Sequence, residues 1–251
     1  MHEQKIKDIL AEFEPITLEE MDSVKLMDRT DTKFLFRIEQ LPEILERAKE
    51  FYKILEVNGN RSSKYETLYF DTENHDLFQR HQCGKMNRYK VRQRKYVESN
   101  LYFFEIKFKN NRERTVKERV KRKEFEYVVR GKAEKLLNKI SPLKSENLKP
   151  VLWVNYTRLT LVNRFSKERL TLDINLEYKK DDKQKLLHKL VIAEVKQEKA
   201  SPSPFIRIVR QRGIREGGIS KYCFGIIYMN ENIRKNNFKP KLIKLNKLLA
   251  A

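Results

Sequence analysis

The sequence predicts an α+β protein built on an antiparallel β-barrel that has a polar, cationic lumen and flanking helices. Four stretches alternate charged and apolar residues with period two, at 88–94, 104–109, 169–177 and 191–196. Successive side chains of a strand point to opposite faces, so each stretch has one apolar face and one ionic face. If the sheet curls with its ionic faces inward, helices cover the apolar faces and the lumen suits a polyanion.

The charge composition supports an anionic partner. The 251 residues include 55 Lys and Arg and 35 Asp and Glu, which gives a formal net charge of +20. This excess is spread through the predicted strands, so the partner is expected to be strongly anionic. Composition alone leaves nucleic acid, an acidic membrane surface and a phosphate-rich small molecule open. We expect one domain over 1–230, with its core at about 28–229, and a basic, loosely helical tail at 231–251.

Apolar periodicity predicts the elements of the first half of the chain. Residues at helical spacing predict a short amphipathic helix at about 3–13 and a second helix from Leu41 to about Leu55. Between them, residues 29–37 form a strand with one mostly ionic face. The aromatic-rich stretch 64–70 predicts a strand, and a short helix follows at 73–82. The basic strand and its partner then form a hairpin that turns near residues 98–100.

The second half continues the pattern of ionic strands. The charged alternation extends over 112–120, and a helix interrupted at Gly131 is predicted at 124–140. Three further strands are predicted at 151–162, 170–178 and 190–197, followed by an amphipathic helix at 205–212. Eight or so strands with helices between them, all with the same ionic-face pattern, favour one barrel over separate modules.

Several functional classes are disfavoured. Cys83 and Cys223 lack CxxC spacing, so neither a zinc site nor a disulfide framework is predicted. No segment has the length of a membrane span and the N-terminus has no apolar run of signal-peptide type, so we expect a cytoplasmic protein. Proteins that bind single-stranded nucleic acid usually place aromatic and basic residues on the same face. Here Tyr89, Phe104 and Phe108 alternate with the cations, so no specific nucleic acid is expected.

Nine short motifs, taken in order, resemble the VTC domain, the polyphosphate polymerase domain of the vacuolar transporter chaperone family. They are RTDTKFLFR, YETLYFDT, YKVRQRKY, FFEIKFK, VKERV, NYTR, RLTLDINL, AEVK and SKYCFGI. The resemblance covers roughly residues 28–229. It implies the triphosphate tunnel fold, shared with the CYTH hydrolases, in which a barrel threads a polyphosphate chain through a basic lumen.

The resemblance also implies roles for individual residues. It assigns a catalytic role to four cations: Lys33, Arg92, Arg94 and Lys221. Eight residues are expected to bind substrate: Lys90, Lys107, Lys109, Lys117, Arg158, Arg169, Lys196 and Ser220. Glu194 matches the metal-binding glutamate of the family. For Glu105 and Asp173, two interpretations stay open, a contribution to the metal site and salt bridging in the lumen.

Two departures narrow the expected function. The hydrolase branch begins with ExExK, whereas this chain has Arg29, Asp31 and Lys33, and the change of one carboxylate to a cation favours the polymerase branch. Lys109 stands where the eukaryotic polymerases have histidine. The chain therefore resembles a stand-alone, bacterial-type member that polymerises phosphate from ATP with Mn²⁺ or Mg²⁺. A metal-dependent triphosphatase and a non-catalytic binder of polyphosphate or nucleic acid remain the alternatives.

Overall fold

The computed structural model describes residues 2–23, 30–112, 114–198 and 202–250. Its helices in these ranges are α1 (His2–Ala11), α2 (Leu18–Ser23), α3 (Leu41–Ala48), α4 (Asp76–Gln82), α5 (Lys132–Ile140), α6 (Pro204–Gln211), α7 (Lys221–Met229) and α8 (Lys239–Ala250). Its strands are β1 (Pro15–Ile16), β2 (Thr30–Arg37), β3 (Tyr52–Leu55), β4 (Ser63–Asp71), β5 (Arg88–Tyr96), β6 (Leu101–Lys109), β7 (Thr115–Arg122), β8 (Lys149–Asn163), β9 (Glu168–Lys180), β10 (Lys183–Leu187) and β11 (Leu190–Gln197). No helix in the described ranges is long and apolar enough to cross a membrane.

The strands form one sheet in the order β2-β11-β9-β8-β4-β5-β6-β7, and every neighbouring pair along this path is antiparallel. β3 pairs with β8, β10 pairs with β9, and the two-residue β1 lies parallel to β3. The predicted antiparallel sheet with flanking helices is therefore confirmed. Among the described residues, the two end strands β2 and β7 are not hydrogen-bonded to each other.

Contacts across the sheet show that it is strongly curved. Lys90 of β5 donates to Ser220, and the next residue, Lys221, contacts Asp173 of β9, three strands away from β5. The charge of Glu194 in β11 also acts on Lys107 in β6, although five strand spacings separate the two strands. A flat sheet would place those two strands roughly 24 Å apart. Curvature therefore brings the charged side chains of distant strands onto one concave face.

Two groups of helices cover the convex face. α1, α3 and α6 pack on β2, β8, β9 and β11, where Phe34, Leu172 and Val195 are buried. α5 packs on β4, β5 and β6, where Val91 and Ile106 are buried. The apolar residues that alternate with the cations thus form the core beneath these helices.

α7 lies against the apolar part of the concave face. Its Phe224 and Ile226 are buried with Val154, Tyr178 and Ile192 of the sheet. α8 packs on the same cluster and buries Leu245, so the C-terminal segment contacts the core of the fold. The positions of these helices leave the N-terminal end of α7 facing the charged part of the concave surface.

A β-bulge changes the pattern predicted for residues 169–177. The register of β8 with β9 shifts between Asn155 and Thr157, and Asn175 has a φ of 53°. After this bulge Glu177 pairs with Asn155 on the convex face, whereas Asp173 faces the concave side. The continuous alternation expected for this stretch was therefore wrong beyond Asp173, because an extra residue reverses the side-chain phase.

Other local elements also differ from the prediction. The helix expected from Leu41 to Leu55 ends at Ala48, and Tyr52–Leu55 forms β3 instead. Residues 124–131 are irregular, and α5 begins only after Gly131, whose φ is 61°. The helix α7 and the strand β10 were not predicted. The first residue of the predicted strand at 29–37, Arg29, lies outside the described residues.

Candidate active site

A row of three lysines crosses the concave face. Lys107 of β6 lies opposite Lys90 of β5, and Lys117 of β7 lies opposite Lys107. Like charges directly opposite each other on neighbouring strands repel and destabilise the pair. An anion bound between these side chains would remove the repulsion, so this part of the surface is built for negatively charged ligands.

Glu105 forms ion pairs with cations from both neighbouring strands. Its side chain is 1% exposed, and its oxygens lie 2.7 Å from Arg92 Nη2 and 2.5 Å from Lys117 Nζ. Burial raises the pKa of Glu105, but Arg92, Arg94 and Lys117 lower it by more, so the pKa lies well below its usual value. Arg92 also donates a 3.0 Å hydrogen bond to Tyr69 Oη. The ionised Glu105 therefore holds Arg92 and Lys117 in defined positions.

Glu194 is more open than Glu105 and Asp173, which face the same concave side. It lies 3.1 Å from Lys33 Nζ and 3.0 Å from Lys196 Nζ, and its side chain is 19% exposed. Burial raises the pKa of Glu194, but Lys196 and Lys33 lower it by more. The carboxylate is therefore ionised at neutral pH and accessible from the channel.

Asp173 joins a strand cation to the beginning of α7. Arg158 donates two hydrogen bonds to it, at 2.6 and 2.8 Å, and Lys221 Nζ lies 2.5 Å away. The Asp173 side chain is 4% exposed. Burial raises the pKa of Asp173, but Arg158 and Lys221 lower it by more, so the pKa is about 2. This bidentate geometry, with a second cation, makes Asp173 the most constrained carboxylate of the site.

The turn before α7 connects three parts of the concave face. Ser220 is the N-cap of α7, and its Oγ accepts hydrogen bonds from Cys223 N and Lys90 Nζ. Gly217 N donates a 2.9 Å hydrogen bond to Lys33 O, which pairs this segment with the edge strand β2. A Cβ on Gly218 would lie 2.9 Å from Lys33 Cδ. The absence of a side chain at Gly218 therefore allows Lys33 to lie alongside the turn.

Tyrosines on the concave face were missed by sequence reasoning. Arg94 lies 5.2 Å from the ring centroid of Tyr65 and 5.8 Å from that of Tyr156, and it donates a hydrogen bond to Thr67. Tyr89, Phe104 and Phe108 lie on the face of the sheet opposite the cations, as expected. The expectation was wrong for the channel as a whole, because Tyr65 and Tyr156 lie on the same face as the cations. Tyr156 precedes Arg158 by two residues, and this period-two spacing was the signal that places both on one face.

The remaining predicted site residues also lie on this face. Arg169, the second residue of β9, is opposite Lys196 of β11. Lys109, the last residue of β6, is opposite Arg88 of β5. The structure thus brings most of the predicted cations around three carboxylates, Glu105, Asp173 and Glu194, and places Arg169 and Lys109 toward the ends of their strands.

The carboxylates indicate what kind of metal site this chain can form. The described residues contain no group of three His, Cys, Asp or Glu side chains that could hold a metal ion. Glu105, Asp173 and Glu194 are each engaged by two cations, but Glu105 and Asp173 are 1% and 4% exposed, whereas Glu194 is 19% exposed. Mg²⁺ is commonly bound by one or two carboxylates together with substrate phosphates and water. Glu194 can serve as the protein carboxylate for an ion of that kind, which arrives with a phosphate ligand. A metal site made only of protein ligands does not fit these residues.

Binding of a phosphate chain is expected to take up protons at mildly alkaline pH. Desolvation by surrounding protein and the charges of Lys90 and Arg92 lower the pKa of Lys107 to about 8. Desolvation by surrounding protein also lowers the pKa of Lys117 to about 8. Bound phosphate favours the charged lysines and raises these pKa values again. The contribution of each lysine to tripolyphosphate affinity should weaken roughly fivefold between pH 8 and pH 9.

Titration calorimetry in buffers of different ionisation enthalpy measures the proton uptake. The arginine in Lys107→Arg keeps its charge throughout this pH range, so this variant should take up about half a proton fewer than the wild type at pH 8 and nearly one fewer at pH 9. Lys139→Arg, on the exposed side of α5, is the matched control. Equal proton uptake by the wild type and Lys107→Arg would show that Lys107 does not change its protonation when the ligand binds.

The curved antiparallel sheet, with cations along its concave face, is consistent with the triphosphate tunnel fold. The VTC domain family model matches residues 28–230. The chain belongs to this family, in agreement with the resemblance of its motifs. Among curated proteins, no sequence matches the chain.

Solved structures with low sequence identity also superpose on the chain. A protein from Bacillus halodurans with the provisional name adenylate cyclase has 13% identity and a TM-score of 0.49, over 77% of this chain and 96% of its own. A Hippeastrum protein with a reported dominant triphosphatase activity has 12% identity and a TM-score of 0.49, over 83% and 98%. The PH1819 protein of Pyrococcus horikoshii has 17% identity and a TM-score of 0.41, over 74% and 92%.

Proposed function

We propose that this protein is an ATP-dependent polyphosphate polymerase, which transfers the terminal phosphate of ATP to a growing polyphosphate chain and releases ADP. The observation that carries the proposal is the meeting of Lys90, Ser220, Lys221 and Asp173 at the beginning of α7, inside a cationic channel. Two segments of a phosphate chain, donor and acceptor, need positive charge on several sides of the transferred group. The three-lysine row and the turn before α7 supply this charge from different elements, which meet where Lys90 donates to Ser220.

Phosphoryl transfer requires mainly positioning and charge stabilisation. Arg92, Arg94 and Arg158 present planar guanidinium groups that suit the geometry of phosphate oxygens. Lys90, Lys107 and Lys117 supply movable point charges along the row. In this proposal the arginines fix the position of the polyphosphate chain along the channel. The lysines neutralise the charge of the phosphate groups that lie next to them.

Lys221 and Lys33 are assigned to the transferred phosphate. Both residues lie next to the turn before α7, because the Lys33 side chain lies alongside Gly218 and Lys221 begins the helix. Lys221 is fixed by Asp173 before any ligand binds. A fixed cation stabilises the charge that develops in the transition state without a cost for reorganisation.

Glu194 is assigned to the divalent ion, Mn²⁺ or Mg²⁺. When bound with the donor phosphates, such an ion neutralises their charge and stabilises the leaving diphosphate. The channel residues Lys33 and Lys196 keep Glu194 ionised and oriented. This arrangement supports a metal that enters and leaves with its substrate.

The product mixture tests the proposed function. Purified protein is incubated with ATP, Mn²⁺ or Mg²⁺ and a short polyphosphate primer, and polyphosphate, ADP and inorganic phosphate are separated. Longer polyphosphate together with ADP is expected. ADP with inorganic phosphate alone would assign the protein to the triphosphatases, and binding of tripolyphosphate without any turnover would make it a binding protein.

A further inference from the structure

Two tyrosines form a platform beneath three of the proposed phosphate-binding cations. We define the tyrosine platform as Tyr65 of β4 and Tyr156 of β8. Their rings are stacked, with centroids 5.1 Å apart and an angle of 10° between the planes. Lys221 Nζ lies 4.6 Å from the Tyr156 centroid, and Arg158 Cζ lies 5.4 Å from it. We infer that the tyrosine platform is a positioning element, which holds Arg94, Arg158 and Lys221 in place for the phosphate chain; this inference rests on the proposed function.

The contacts of the platform are shared between its two rings. Arg94 and Arg158 each lie within 5.8 Å of both ring centroids. Such distances are within the range of cation–π attraction. Tyr156 is 5% exposed, and its contacts with cations are therefore poorly screened by water. One buried ring thus interacts with three cations that come from β5, β8 and the beginning of α7.

An aromatic ring holds a cation in a way that a carboxylate does not. Asp173 and Glu105 each add a negative charge, which offsets part of the positive charge presented to a ligand. The ring attracts through its quadrupole and adds no net charge. The platform therefore adds a restraint on three mutually repelling cations, two of which also pair with Asp173, without adding a further negative charge.

Regular alternation along β8 explains how Tyr156 reaches this position. Val154, Tyr156 and Arg158 pair with Thr67, Tyr65 and Ser63 of β4 without a register shift, so the three side chains share the concave face. The extra residue of the bulge lies in β9, at Asn175, and Asp173 precedes it, opposite Arg158. Asp173 and the Tyr156 ring therefore both contact Lys221. A shift of the cations by even a fraction of their contact distance would weaken their preorganised stabilisation of the transferred group.

Substitution of Tyr156 separates the effect of the ring from that of the hydroxyl group. Tyr156→Phe keeps the ring and should retain kcat and tripolyphosphate affinity within about twofold. Tyr156→Leu removes the ring and should lower kcat and tripolyphosphate affinity by about tenfold. The factor by which kcat falls should be larger than the factor by which the KM for ATP changes. Tyr65→Leu, which keeps Tyr156, should cause a smaller loss and serves as a second variant if Tyr156→Leu does not fold. Tyr127→Leu, at a 61% exposed tyrosine outside the channel, is the matched control.

Turnover with ATP and primer, tripolyphosphate affinity by calorimetry and Tm are measured for every variant. Wild-type kinetics and affinity in Tyr156→Leu would overturn the inference, and so would equal losses in Tyr156→Phe and Tyr156→Leu. If the wild type binds tripolyphosphate without making polyphosphate, the proposed polymerase function fails, but the affinities still test the platform. If the wild type does not bind tripolyphosphate, both proposals are wrong.

Discussion

Lys221→Ala is expected to lower the rate of phosphate transfer from ATP about a hundredfold or more, while its effect on triphosphate affinity is much smaller. Lys221 is held by Asp173 and by the Tyr156 ring, so its charge has a fixed position before substrate binds. Loss of one preorganised electrostatic contact to a transition state typically costs 10² to 10³ in kcat. Affinity depends on many cations together, so the loss of one of them is partly compensated by its neighbours.

Single-turnover kinetics with ATP and calorimetry with tripolyphosphate measure the two effects separately. Lys139→Ala removes one positive charge from the exposed side of α5 and is the matched control for net charge. Lys221→Arg tests whether a positive charge alone is sufficient, because arginine is larger and its guanidinium group is planar. If Lys221→Ala lowers rate and affinity by the same factor, Lys221 contributes to binding only and its assignment to the transferred phosphate is wrong.

Glu194→Gln is expected to abolish metal-dependent turnover and to leave phosphate-chain binding intact or stronger. The substitution keeps the side-chain volume and removes the negative charge that pairs with Lys33 and Lys196. The charge of Glu194 then no longer offsets that of the two lysines, so the affinity for metal-free tripolyphosphate should rise by a few-fold. Turnover should fall at least a hundredfold, because the variant loses the carboxylate that we assign to the divalent ion.

The opposite directions of the two effects make this prediction specific. Calorimetry with tripolyphosphate in the presence of a chelator measures affinity, and ATP turnover is measured over a range of Mn²⁺ and Mg²⁺ concentrations. Glu177→Gln is the matched control, because Glu177 is also a strand carboxylate paired with a lysine but lies on the convex face. Full activity in Glu194→Gln would refute the assignment of Glu194 to the metal.

The fold could be predicted from the sequence where local alternation was strong. The stretches 88–94 and 104–109 became β5 and β6, with Val91 and Ile106 buried beneath helix α5. The helix expected up to Leu55 failed after Ala48, because the pairing of Tyr52–Leu55 with β8 overrides a weak helical pattern. Helix α7 was missed because its residues are apolar on nearly every side and have no amphipathic period.

The candidate site, like the fold, could be predicted only in part from the sequence. The period-two spacing placed its cations on one face. That these cations bind phosphate was indicated only by the resemblance of the motifs to a known family. The partners of each carboxylate could not be predicted, because most of the cations that pair with Glu105, Asp173 and Glu194 belong to other strands or to α7. The bulge at Asn175 was also invisible, since an asparagine in a charged strand does not by itself indicate a left-handed backbone conformation.

The sequence by itself determined that this protein has two-faced strands, a large positive charge and the motifs of the VTC domain family. These properties depend on residue order and on the alternation of side chains along a strand. Only the tertiary structure decided which charges meet: Asp173 with Lys221, Glu194 with Lys33, and three cations with Tyr156. Those encounters join residues far apart in the chain, and they depend on the curvature of the sheet, on one bulge and on the position of α7.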